Sequence, residues 1–180
     1  ALLHDLGKIS VPVEILSNTL DTRIDYSIDE GLWWLHKNQN ASGWWTANGY
    51  YASPTASALQ AFFINGHLEV GDPTEDPYVD TTRNGMRYML GQLVPGVISN
   101  QTYGDPDMLS NGIGLEPAEG NDAYQGGMLM DAIVASGTPN AKCWVGGSFV
   151  FARSYRDILQ DMIDRYAWGQ YDHATVGGGW

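Results

Sequence analysis

Segments of helical length in this chain alternate between two hydrophobic patterns, and that alternation restricts the fold more than any other feature. From Asp25 to Asn38, the residues Ile28, Leu32 and Leu35 recur at spacings of four and three, which puts one apolar stripe on a helix. Pro54 to Ile64 reads differently: Ala56, Ala58, Leu59, Ala61, Phe62, Phe63 and Ile64 leave almost no polar side, as in a helix buried all round. Ser53 stands where an N-cap belongs, and Pro54 at a first helical position, where a missing N–H costs nothing. Pro77 to Leu93 is amphipathic again, with Val79, Met86, Met89, Leu90 and Leu93 opposite Arg83 and Arg87. Asp122 to Ser136 is apolar on most faces, and Tyr155, Ile158, Leu159, Met162, Ile163 and Tyr166 then mark the clearest amphipathic helix. No stretch alternates as a half-buried strand over six or more residues, so the expected class is all-α. Half-exposed helices alternating with buried ones predict two concentric layers rather than an up-down bundle, in which every helix would carry a similar stripe.

Charge narrows the partners. The chain has 9 Lys+Arg against 21 Asp+Glu, a formal net charge of −12, and no basic stripe, which excludes nucleic acid and anionic lipid surfaces as direct ligands. No apolar run approaches the roughly 20 residues of a membrane span, and no signal-peptide pattern opens the sequence. Its one cysteine, Cys143, excludes an internal disulfide and any zinc site that needs two thiolates. Lys142 beside it favours the thiolate, but without a neighbouring histidine the thiol reads as incidental. The chain uses only three lysines (Lys8, Lys37, Lys142) and carries two sequons, Asn40-Ala41-Ser42 and Asn100-Gln101-Thr102. That usage fits an extracellular or cell-surface protein, with Asn40 and Asn100 as N-glycosylation sites in a glycosylating host.

Two places share a motif. Leu32-Trp33-Trp34-Leu35 leads to Gln39 and then Gly43-Trp44-Trp45, while Tyr166-Ala167-Trp168 leads to Gln170 and Gly177-Gly178-Gly179-Trp180. In such a unit the Gln bonds carbonyls frayed at a helix end, the Gly permits a tight turn, and the Trp covers the next helix end. The pattern resembles the Gln-Trp repeats of the squalene cyclase and protein prenyltransferase superfamily, over about residues 21–180. The resemblance implies an α/α toroid of inner and outer helices. With three outer and two inner helices against six of each in a full ring, it predicts a partial, half toroid. The aspartate-rich box of the cyclases and the Asp-x-Cys…His zinc set of the prenyltransferases are both missing from the sequence. Neither parent activity is therefore expected.

Residues 1–16 resemble a different family. Leu3-His4-Asp5-Leu6-Gly7-Lys8 is similar to the His-Asp segment of HD-GYP cyclic-dinucleotide phosphodiesterases, which implies His4 and Asp5 as metal ligands and Lys8 near a scissile phosphate. Two ligands do not hold a catalytic metal by themselves, and a linker helix packing Leu2, Leu3, Leu6 and Ile9 is the competing reading. The expected organisation is an N-terminal segment, 1–20, followed by one repeat domain, 21–180.

Two further constellations carry chemistry. Gly104 to Gly114 offers Asp105, Asp107 and Asn111 as oxygen ligands for Ca2+, against the alternative of a solvated turn. Trp33, Trp34, Trp44, Trp45, Tyr50 and Tyr51 form an aromatic block that serves either as a sugar-stacking platform or cavity mouth, or as core and helix-end plugs. The functional expectation is a structural or interaction module without demonstrable catalytic machinery. Its expected partners are a second copy, a larger parent chain or a polysaccharide. The alternatives are a lyase or cyclase working in a central cavity, and a remnant of the HD-type phosphodiesterase.

Overall fold

The computed structural model describes residues 20–102, 104–120 and 122–170. The His4–Asp5 segment, Lys8 and the Gly177–Trp180 half of the second Gln-Trp unit lie outside the described residues. Helices form at all five expected places: α1 (Leu20–Asn38), α2 (Ala52–Ile64), α3 (Val79–Gly91), α4 (Asp122–Ala135) and α5 (Tyr155–Gly169).

Between α3 and α4 the all-α expectation fails. Strand β1 (Leu93–Val97) pairs antiparallel with β2 (Ile113–Pro117), with Leu93 opposite Pro117, Pro95 opposite Leu115 and Val97 opposite Ile113. The fold is mixed α/β, and the all-α half toroid is corrected to a set of helices with a two-stranded ribbon inserted. The strands are five residues each, too short to show alternation, and β1 contains Pro95 and Gly96, which normally argue against a strand. In a two-stranded ribbon every strand has an unpaired side, so a proline is tolerated there.

The ribbon belongs to the core. Leu93 and Leu115 are buried with Leu59, Met86, Met89, Leu90, Leu129, Ile158 and Met162 in one cluster drawn from α2 to α5 and the ribbon. Helix α2 packs most extensively on α4, and β2 lies along α5. A smaller cluster of Leu32, Trp45, Ala58, Phe62 and Tyr78 seats α1 on α2.

Several element ends differ from expectation. Leu93 starts β1, so α3 stops at Gly91. Ser53 does not cap α2, because the helix already begins at Ala52. The open amides there are satisfied from a distance: those of Tyr51 and Ala52 donate to Glu119 Oε2 (3.1 and 3.3 Å), and that of Ser53 to Gln125 Oε1 (3.3 Å). By contrast α5 is capped locally, the Ser154 hydroxyl accepting from the Asp157 amide at 3.1 Å. Helix α4 is less enclosed than its sequence implied, since Tyr124 and Val134 are exposed.

Strand β2 approaches α5 so closely that only glycine fits at position 114. A Cβ there would lie 2.7 Å from Arg165 Cβ and 3.0 Å from Ile98 Cγ2, and the first contact is at the root of a side chain that cannot swing away. Gly114→Ala is expected to destabilise the fold by about 2 kcal/mol through overpacking, read as a lower denaturant midpoint at unchanged slope.

Candidate functional site

The site begins with how the chain leaves α1. Gln39 Nε2 donates to the Gly43 carbonyl and to the Thr81 carbonyl on α3, both at 2.9 Å. Gly43 has φ +94°, and any side chain there would run into the Asn84 carbonyl. The buried Trp45 ring donates its indole N–H to the Leu35 carbonyl in the last turn of α1 (2.9 Å), while its backbone amide donates to Thr55 Oγ1 on α2 (3.0 Å). The Gln, Gly and Trp thus form a helix-end clamp with one change from expectation. The carbonyl left open by α1 is taken by Trp45, and Gln39 bonds the turn and α3 instead.

Past the clamp, Asn48 (φ 53°) and Gly49 (φ 83°) form the paired positive-φ corner of a type I′ turn, and Ala47 and Tyr50 exchange both backbone hydrogen bonds across it. The turn carries Tyr50 back toward the start of α4, where its ring centroid lies 6.4 Å from that of Tyr124.

These walls enclose a groove of about 940 Å³, near the upper end of the range for small-molecule sites. Trp34, Leu35 and Asn38 line it from α1, Trp44 to Asn48 and Tyr50 from the loop, Ser53, Pro54, Ser57 and Ala58 from α2, and Tyr124 and Met128 from α4. No lining residue is charged. Trp34 and Tyr124 are 61 % and 64 % exposed, so the groove opens to solvent along aromatic edges.

Of the aromatic block read from sequence, Trp34, Trp44, Trp45 and Tyr50 meet in this groove. Trp33 does not: it stacks on His36 at 5.2 Å with Lys37 Nζ 5.2 Å over its ring. Tyr51 sits edge-on to Trp44 at 4.9 Å without lining the groove. Tyr124 was missed because the pattern of α4 read as buried. Its i,i+4 spacing to Met128 and the Asn-Gly pair at 48–49 were the available signals.

In the candidate calcium loop, one oxygen of each side chain accepts a backbone amide of the same loop. Asp105 Oδ1 accepts from the Asp107 amide (3.0 Å), Asp107 Oδ2 from the Gly112 amide (2.5 Å) and Asn111 Oδ1 from the Ile113 amide (2.9 Å). The Gly112 amide foremost holds the Asp107 carboxyl below the usual carboxylate range. Asn111 Nδ2 also donates to the buried Asp161 on α5 (3.0 Å), which pairs with Arg153, and the Met108 amide donates to the buried Asp164 (3.1 Å). Asp107 Oδ1 is buried without a hydrogen-bond partner. Among the described residues, no group of three or more His, Cys, Asp and Glu is placed to hold a metal ion.

The two described histidines act as struts, His36 Nδ1 lying 2.6 Å from Thr81 Oγ1 and His67 Nδ1 lying 3.1 Å from Asp76 Oδ2. Asn40 and Asn100 of the sequons are both exposed. Cys143 is buried, and burial pushes its thiol up rather than toward the thiolate that Lys142 had suggested. No family model matches the chain, and no curated protein or solved structure matches it either.

Away from the groove, a buried acid joins the connections that follow α2 and α4 to the start of α5. Glu69 accepts from Tyr155 Oη (3.0 Å) and Thr138 Oγ1 (3.3 Å), yet desolvation outweighs both bonds and raises its pKa above the usual 4.5. The fold therefore prefers the protonated acid. Its stabilising contribution is full below pH 4.5 and is lost as pH rises through the raised value. Replacing Glu69 by Gln is expected to make the stability less pH-dependent above pH 4.5, so that the variant gains on the parent as pH rises through the raised value. Paired denaturation curves at three pH values measure this, and parallel pH profiles would contradict it.

Proposed function

We propose that the chain is a non-catalytic interaction module whose binding face is the aromatic groove. The observation that carries this reading is the make-up of the lining: broad aromatic surface with amides and hydroxyls, and no carboxylate, imidazole, thiol or amine. Such a surface supplies contact area and orienting hydrogen bonds; its titratable side chains are the phenols of Tyr50 and Tyr124 alone, with no carboxylate or imidazole in the lining to act beside them as a lyase or cyclase base. Ser57 has no base to activate it and donates its hydroxyl to the Ser53 carbonyl. The resemblance of the Gln39…Gly43-Trp44-Trp45 unit to prenyltransferase-type repeats supports descent from a superfamily whose catalytic motifs this sequence lacks. The phosphodiesterase alternative rests on residues 1–16 alone.

The test uses Nile red, a neutral dye that brightens on apolar surface; since apolar residues are also exposed on α1 and before α5, the groove's share is the part of the signal lost on truncating its rings. Enhanced emission is expected with the parent protein and about fivefold weaker binding with Trp34→Ala or Tyr124→Ala, at unchanged far-UV circular dichroism. Equal binding by the parent and both variants would remove the groove from consideration.

A second observation supports association. Leu20, Ile24 and Ile28 are exposed at four-residue spacing along α1, and Trp144, Phe149 and Phe151 are exposed together on the segment before α5. Exposed apolar surface of this kind favours a second copy or the remainder of a larger chain. Among the described residues no helix is long and apolar enough to cross a membrane. The acidic, lysine-poor composition and the exposed sequons support an extracellular setting. In sedimentation velocity the parent is expected to show concentration-dependent association that Ile24→Asp with Ile28→Asp weakens. A parent that stays monomeric at high concentration would exclude self-association.

A further inference from the structure

We infer that the groove takes a neutral polysaccharide, an inference that rests on the groove being the binding face. Four exposed or half-exposed rings reach it from three elements: Trp34 from α1, Trp44 and Tyr50 from the loop, and Tyr124 from α4. A pyranose has an apolar face of C–H groups, which lies against the negative face of an aromatic ring, and a girdle of hydroxyls that must find partners.

The polar groups of the lining match that girdle in a specific sense. Asn38 Nδ2 donates to the Trp34 carbonyl, Thr46 Oγ1 to the Tyr50 carbonyl and Ser57 Oγ to the Ser53 carbonyl. Thr46 and Ser57 thereby spend their one donor and keep oxygen lone pairs, while Asn38 keeps its Oδ1 and a second N–H, so the lining offers acceptors as well as donors and complements a ligand that does both. Sugar hydroxyls both donate and accept. A phosphate or carboxylate group only accepts, and a hydrocarbon chain does neither.

Charge and openness agree with this selection. The lining carries no cation to hold an anionic polymer, and the net charge of −12 repels one. A prenyl or fatty chain is held by burying most of its surface, whereas Trp34 and Tyr124 remain largely in solvent. An open groove also lets a long polymer pass through without its ends being enclosed.

The experiment is native affinity electrophoresis in gels containing hydroxyethyl cellulose, mixed-linkage β-glucan, xylan or galactomannan, with alginate as the anionic polymer. Retardation is expected in at least one neutral polymer and not in alginate. Trp34→Ala and Tyr124→Ala should each weaken it about fivefold, while Trp33→Ala, outside the groove, leaves it unchanged. Both groove side chains are mostly exposed, so their truncation spares the core. No retardation by any of the four neutral polymers, equal retardation of all variants, or retardation in alginate as strong as in a neutral gel would each overturn the inference. If Nile red still reports the groove while no neutral polymer binds, the ligand class falls and the binding face stands. If both fail, the binding face falls as well.

Discussion

The arrangement depends on Trp45. A buried indole N–H needs an acceptor, and the last turn of a helix has carbonyls that need donors. Trp45 settles both needs with one hydrogen bond to Leu35, and its backbone amide reaches Thr55 at the same time. The ring also packs on Phe62 at a centroid distance of 6.3 Å. One side chain therefore sets the end of α1 against α2, and Trp34 and Trp44, which flank it on either side of the turn, take their places in the groove wall as a result.

The opposite wall is set by the same kind of requirement at a helix start. Glu119 and Gln125 reach across to the first amides of α2, which ties the β2–α4 connection to that helix. Helix α4 is thereby held so that Tyr124 meets Tyr50. The groove is thus a by-product of satisfying backbone polar groups at one end of α1 and one end of α2, and its aromatic lining follows from which side chains stand beside those ends.

Charged residues make up 17 % of the chain, fewer than the roughly 25 % of an average domain. Several are inside: Asp161, Asp164 and Glu69 are buried, each with hydrogen-bonding partners from other elements or the next turn. They tether the irregular stretch between the strands, and the loop after α2, to α5. Paired in this way they specify the course of long connections that little apolar surface could fix, while the groove itself is left without charge.

Helix positions, the enclosed character of α2 and the parts of the Gln-Gly-Trp clamp were all determined by the sequence by itself, because each depends on periodicity or on residues a few positions apart. The tertiary structure decided the rest. The ribbon forms although β1 contains Pro95 and Gly96, because β2 and α5 provide its partner and its floor. The cap of α2 lies 67 residues from the helix start, beyond any local rule. Tyr124 becomes a groove residue only because α2 covers the other side of α4, so an apolar pattern that reads as burial leaves one aromatic face open. Hydrophobic pattern specifies how much surface a helix must hide, but which neighbour hides it is settled only when the long-range contacts form.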